Sequence, residues 1–230
     1  MEQFFQENKP ILVNNPLFQS IPESEIPGLL RHLEAYTRQY RKDTYLKMTG
    51  DPADFIGIVL SGELYICQTD FYGNRSIVAS VSAGNLFAEA FACAGVTQLP
   101  ADILAAADCR VLYLGSRPLL HSCDRCCSFH HQLIANLLGI VSRKNLYLNQ
   151  KLSYTSRGTT KEKLLAYLSD QAKQHHSNEF TIPFNRQELA DFLGVERSAM
   201  SAELGKLAKL GILETKRRSF RLFRMNESGN

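Results

Sequence analysis

From Phe129 to Ser153 the chain contains neither Pro nor a cluster of turn residues, and Gly139 is the one isolated helix-weakening position in the run. An uninterrupted stretch of this kind can fold only as a long helix, because its apolar residues recur at helical and not at strand spacing. They form two stripes. Ile134, Leu138, Val141, Asn145, Leu148 and Leu152 advance by alternating fours and threes, the a/d seam of a heptad repeat. Leu133, Leu137 and Ile140 make a second stripe that would cover a different surface at the same time. One stripe must lie on the helix's own domain. The heptad stripe is read as pairing with its twin in a homodimer, with Asn145 setting a two-stranded register.

The helix divides the chain into unlike textures. Before it, from about Tyr40 to Gly115, short apolar runs alternate with turn signals at Thr49-Gly50-Asp51-Pro52, Leu60-Ser61-Gly62-Glu63, Tyr72-Gly73-Asn74 and Ser82-Ala83-Gly84-Asn85. The runs Phe55–Leu60, Leu64–Gln68, Ile77–Val81, Ile103–Ala106 and Arg110–Leu114 fit strands of an antiparallel roll or sandwich. After it, Ser156-Arg157-Gly158 reads as a hinge, and Thr159-x-x-Glu162 as a capping box opening a helix to about Lys173. A loop and a short strand, Phe180–Pro183, lead to a second helix-start signal, Asn185-x-x-Glu188. The expected domains are therefore 1–128, a helix at 129–155, and 156–230.

From Asn185 the chain reads NRQELADFLGVERSAMSAELGKLAKLGILETKRRSFRLF. A first helix, about Arg186 to Leu193, would bury Leu189, Ala190 and Leu193. Gly194 supplies a tight turn, and a second helix, about Arg197 to Leu210, would bury Met200, Leu204, Leu207 and Leu210. Arg197, Ser198, Ser201 and Ala202 are then left on the outer face of its first turns, the face that a recognition helix presents to the major groove. The alternating Phe220 and Leu222 after a basic turn read as a winged hairpin. Charge agrees: residues 154–230 carry 13 Lys+Arg against 9 Asp+Glu, while residues 1–153 carry 13 against 14. The excess thickens at Lys216, Arg217, Arg218, Arg221 and Arg224, a footprint expected of a nucleic-acid binder.

Composition narrows the other possibilities. With 44% apolar and 21% charged residues the chain is that of an ordinary globular protein. No stretch approaches the roughly 18 to 20 apolar residues needed to span a bilayer, and no export signal is visible. The six Cys then read as reduced thiols in a cytoplasm. No His occurs from Leu33 to Leu120, which argues against a metal enzyme built inside the roll. G-x-S-x-G, a phosphate-cradling Gly loop and paired catalytic carboxylates are not found either, so no enzyme is expected.

Four stretches in order, GDPADFIGIVLSGEL, GNLFAE, the long central helix and RQELADFLGVERSAMSAEL, give the chain a resemblance to the Crp/Fnr family over nearly its full length. This is the family of the cyclic-AMP receptor protein and the fumarate-nitrate regulator. The resemblance implies an α+β chain: an N-terminal double-stranded β-roll of the cyclic-nucleotide-binding, jelly-roll type, a long dimerisation helix, and a C-terminal winged helix-turn-helix. It implies a sequence-specific transcription regulator that binds a pseudo-palindromic DNA operator as a homodimer, under a small-molecule or redox signal, and it leaves RNA polymerase open as a partner. Arg186 and Gln187 match phosphate-contacting positions, and Arg197 matches the arginine that reaches a guanine edge. Ser198 and Ala202 replace the usual base-reading Glu and second Arg, which implies a different operator. Arg218 falls in the wing. In the roll, Glu89 keeps the ribose-holding position, with Phe87 and Ala101 beside the expected effector pocket. The phosphate-holding Arg-Ser pair, however, is replaced by Leu99-Pro100-Ala101-Asp102. Cyclic AMP is therefore not expected, nor is haem or an iron–sulfur cluster, and the effector is unknown.

One cluster stands outside this scheme. His121-Ser-Cys123-Asp-Arg-Cys126-Cys127-Ser-Phe-His130-His131 is the densest set of potential ligands in the chain. If helical, Cys123, Cys127 and His130 share one face and would take a soft metal or pair on oxidation. Reduced thiols beside a helix start are the simpler reading. Two alternatives to a ligand-controlled regulator follow: a thiol-based redox or metal sensor, and an effector module acting through a protein partner.

Overall fold

The computed structural model describes residues 1–120 and 129–223. The chain folds as two compact units, Met1–Arg143 and Lys144–Asn230, and the division falls inside the long helix α5, His130–Thr155.

The first unit opens with helices α1 (Glu2–Val13) and α2 (Ile26–His32). Its strands are β1 (Tyr36–Tyr40), β2 (Tyr45–Lys47), β3 (Phe55–Ser61), β4 (Glu63–Thr69), β5 (Arg75–Ser82), β6 (Leu86–Phe87), β7 (Asp102–Ala105) and β8 (Cys109–Gly115). Two short helices, α3 (Glu89–Cys93) and α4 (Ser116–Leu120), complete it. The strands form two antiparallel four-stranded sheets, in the orders β1-β8-β3-β6 and β2-β7-β4-β5. This is the double-stranded roll. β3 reads as a continuous apolar run because Phe55 to Leu60 are all buried, its two faces lying against different layers.

Those layers are distinct cores. Between the sheets, the rings of Phe55, Phe87 and Tyr113 meet edge to face, with Phe55–Tyr113 centroids 5.2 Å apart, and Leu46, Val59, Leu64, Leu99, Ile103 and Val111 fill in around them. On the other side of β3, Ile56, Ile58 and Leu60 join Leu12, Phe18, Leu30 and Leu33 of the N-terminal segment. Leu133, Leu137 and Ile140 of α5 belong to this second core, so the second stripe covers the helix's own unit as expected. The β4–β5 hairpin reaches beyond both layers: Phe71 and Tyr72 at its turn are almost fully exposed, and Ile77 and Val78 are exposed on β5. Asp70 closes that turn by accepting from the amides of Tyr72 and Asn74.

The second unit contains α6 (Thr160–Gln174), β9 (Glu179–Thr181), α7 (Arg186–Leu193), α8 (Arg197–Lys209), β10 (Leu213–Lys216) and β11 (Ser219–Leu222). Its three strands order as β10-β11-β9. Both expected capping boxes form, Thr159 with Glu162 and Asn185 with Glu188, so each helix begins where its side chains satisfy the first amides. The strand expected at Phe180–Pro183 is β9, displaced one residue earlier, because its register is set by pairing Phe180 with Phe220. The roll likewise begins at Tyr36 and not at Tyr40, since β1 pairs along its length with β8. Among the described residues no helix is long and apolar enough to cross a membrane.

Gly57 shows how tightly the roll is filled. It pairs with Phe87 across β3 and β6, and a Cβ at Gly57 would overlap the Phe87 ring itself. Gly57→Ala is expected to cost about 1–3 kcal/mol of stability through overpacking. The cost should shrink in a Phe87→Leu background, which removes the outer edge of the ring. Urea unfolding of the four chains of this cycle measures both terms. Equal costs in the two backgrounds would mean that the ring contact is not the cause.

Candidate nucleic-acid interface

The second unit presents its helix pair through a sequence of local devices. Asn185 accepts from the Glu188 amide at 3.0 Å and starts α7. Gly194, at φ +61, ends it in the left-handed conformation that a residue without a Cβ adopts at least cost, and the Val195 amide closes onto the Ala190 carbonyl at 3.0 Å. Glu196 then caps α8, accepting from the Ala199 amide at 3.2 Å and from the Ser198 hydroxyl. The Ser198 bond and the main-chain amides hold the Glu196 carboxyl below the usual carboxylate range. α8 buries Met200, Leu204 and Leu207 against Leu189, Ala190 and Leu193 of α7 and Leu164 and Leu168 of α6. Arg197, Ser198, Ser201 and Ala202 are consequently exposed. Leu210, expected in the core, is instead 68% exposed, because the helix ends at Lys209 and Leu210 serves as its cap.

The predicted contact residues are not equally available. Among the described residues Arg197 has neither an ion pair nor a hydrogen-bond partner, and it is exposed. The Ser198 hydroxyl is engaged with Glu196. Arg186 is half-buried: its guanidinium lies 5.0 Å above the Phe220 ring centre and donates to Thr215 Oγ1 at 2.6 Å. Burial lowers its pKa. Arg186 therefore ties the start of α7 to the hairpin, leaving part of its donor set outward. Gln187 donates to Asp191 at 2.9 Å on the α7 surface.

The hairpin β10–β11 turns through Arg217 and Arg218, with Lys216 paired to Ser219. Arg217 sits at φ +57, the left-handed region where Gly or Asn is the cheaper residue. Arg218 lies 3.9 Å from Glu188, an exposed pair of little energetic weight. Asn185, Arg186, Lys216, Arg217, Arg218 and Ser219 line one cavity of about 880 Å³ between the α7 start and the wing. Composition had pointed to these cations as a run; the fold gathers them at the mouth of the helix pair. Sequence reading missed Glu196, whose cap bond could have been inferred from its place before Arg197, and Phe192. Phe192 stacks on Phe184 at 4.8 Å and receives Tyr147, Tyr154 and Tyr167, which seats the helix pair on the end of α5.

In the roll, Phe87, Glu89 and Ala101 are all buried. Phe87 is part of the aromatic interior, and Glu89 opens α3 behind Ala88, a non-glycine residue at φ +62. Ala101 lies immediately before β7. The segment before it is held by its main chain: Leu99 donates to the Asp51 carbonyl at 2.8 Å and accepts from the Gly50 amide at 2.9 Å. Asp102 accepts from the Thr49 amide and hydroxyl at 2.8 and 3.0 Å, so its carboxylate fastens the β2–β3 turn.

Along α5, Leu138, Leu148 and Leu152 are 60% or more exposed, and Asn145 is exposed between them. Ile134 and Val141 are half-buried. His130 is the first residue of α5 and is buried, whereas Cys123 and Cys127 lie outside the described residues.

Two family models match the chain: a cyclic nucleotide-binding domain over residues 37–126, and a Crp-like helix-turn-helix domain over residues 162–227. No curated protein matches it by sequence. Among solved structures it is similar to the c-di-GMP responsive global regulator CLP of Xanthomonas campestris, with 18% identity and a TM-score of 0.53 over 89% of this chain and 100% of that one. It is also similar to a cAMP-binding regulatory protein, so described, from Silicibacter pomeroyi DSS-3, with 22% identity and a TM-score of 0.51 over 95% of each chain. The sensor domain of the regulator DNR from Pseudomonas aeruginosa matches at 17% identity and a TM-score of 0.50, over 65% of this chain and 91% of that one. At these identities the likeness is one of fold. Because the roll and the winged helix pair each match their own model, in this order around one long helix, the chain belongs to the Crp/Fnr family of regulators.

Proposed function

We propose that this chain is a dimeric, sequence-specific DNA-binding transcription regulator, governed by a signal other than cyclic AMP at its N-terminal unit. The observation that carries the reading is the exposed N-terminal face of α8. Arg197 there is uncommitted, and the wing cations Lys216, Arg217 and Arg218 stand at the other side of the α7 start. A guanidinium with no internal partner can give both of its parallel donors to guanine O6 and N7. The wing and Gln187 supply phosphate contacts that set register without reading sequence. With the Ser198 hydroxyl held by Glu196 and only a methyl group at Ala202, Arg197 is the principal base reader, and Ala202 favours apolar contact with a thymine methyl.

The reading against cyclic AMP rests on chemistry at the roll. The stretch where a phosphate-holding pair would stand is apolar, with Leu99 and Ala101 buried and the Asp102 carboxylate nearby. An anionic phosphate placed there would meet the Asp102 carboxylate, while the sheet interior is filled by Phe55, Phe87 and Tyr113. A dimer is supported by Leu138, Leu148 and Leu152, large apolar side chains left exposed on one helix at heptad spacing. Two-fold pairing through α5 would present two recognition helices to half-sites about one helical turn apart.

Arg197→Ala should weaken binding to an operator fragment recovered from genomic DNA by about 1–3 kcal/mol, roughly 5- to 150-fold, and relax discrimination at one base pair of each half-site. Gel shifts over single-base operator variants measure both. Unchanged affinity and unchanged preference would remove Arg197 from the interface. Leu148→Glu with Leu152→Glu should leave the far-ultraviolet circular dichroism intact and convert the chain to a monomer in sedimentation. A persisting dimer would place the contact elsewhere.

A further inference from the structure

Two imidazoles far apart in sequence meet in the first unit. His32 ends α2 and His130 begins α5, and their ring centroids lie 5.6 Å apart at an interplanar angle of 76°. His130 is 3% exposed. Neither of its ring nitrogens has a partner in good hydrogen-bond geometry, although the Leu119 main chain is close enough to favour a proton on the ring. His32 Nε2 is likewise buried without a partner. Each buried, unpaired polar atom is costly, and native proteins hold few of them. Three such atoms on two touching rings call for a ligand common to both.

We propose that His32 and His130 form a two-imidazole site for a borderline divalent metal ion of the Zn²⁺, Co²⁺ or Ni²⁺ type. The spacing suits it. A metal about 2.1 Å from each ligating nitrogen lies about 3.2 Å from each ring centre, so a tetrahedral angle puts the two centres roughly 5 Å apart. The observed centres are 5.6 Å apart, close to that separation. A neutral, nitrogen-only pair selects against Mg²⁺ and Ca²⁺, which require oxygen donors. The remaining coordination positions would be filled by water or a further donor. Such an ion would bind the folded chain and join the end of α2 to the head of α5, the helix that carries the exposed leucines. This site stands independently of the DNA-binding reading, and neither falls with the other.

The test uses the full chain with Cys123→Ser, Cys126→Ser and Cys127→Ser, so that those thiols do not compete for metal. Co²⁺ is titrated while its visible absorption and the melting temperature are followed. One ion per chain and a rise in melting temperature are expected. His32→Ala, at a partly exposed helix end, should weaken binding by at least about ten-fold and abolish the rise. Its melting curve without metal identifies any loss of fold. His32→Cys, which returns a ligand to the same place, should restore binding. Absence of any Co²⁺-dependent shift, undiminished binding in His32→Ala, or failure of His32→Cys to restore it would each overturn the site.

Discussion

Leu133, Leu137 and Ile140 lie buried against the first unit while Leu138, Leu148 and Leu152 of the same helix stay exposed, and the rest of the molecule is arranged around that division. A helix of 26 residues is about 39 Å long. Its first part is anchored by apolar burial under the roll. Its last part carries Tyr147 and Tyr154 into the aromatic group around Phe192, and the Tyr154 hydroxyl donates to Asp170 of α6 at 2.5 Å. One element therefore belongs to both units. Its exposed leucines would be costly to leave in water over several turns, and a second copy of the same helix is the surface that matches them in period and chemistry.

The exposed face proposed to read DNA was legible because its placement is local. Asn185 with Glu188, Gly194 and Glu196 specify where α7 and α8 start and stop, and a helix period then fixes which side chains remain outside. The strands of the roll were legible for a similar reason, since Gly-containing turns bracket runs of four to eight residues. What the residues alone could not disclose is how long-range contacts spend individual groups. Arg186 is drawn into Phe220 and Thr215 on the wing, so a cation expected wholly at a phosphate is partly structural. Asp102, in the stretch that replaces the phosphate-holding pair, has its carboxylate fastened to Thr49. His32 gave no signal, because only the fold brings it to His130.

These commitments narrow the operator chemistry. With Ser198 bonded to Glu196 and a methyl at Ala202, discrimination would concentrate on Arg197 and on the DNA's own shape under the proposed reading. Most of the affinity would then come from the wing and from Gln187, through phosphate contacts whose strength falls steeply with salt. Arg217 fits this picture. A left-handed backbone position occupied by Arg carries a conformational cost that Gly would avoid, and a phosphate contact by the charge at the tip of the wing would offset that cost.

Two such units, paired through α5, are proposed to read DNA with two-fold symmetry. Selection of bound duplexes from a random pool by the full chain at moderate salt tests this directly. The account predicts enrichment of a pseudo-palindrome whose half-sites are centred about 10 base pairs apart. Recovery of a single, unpaired half-site, or of no preferred sequence, would contradict it.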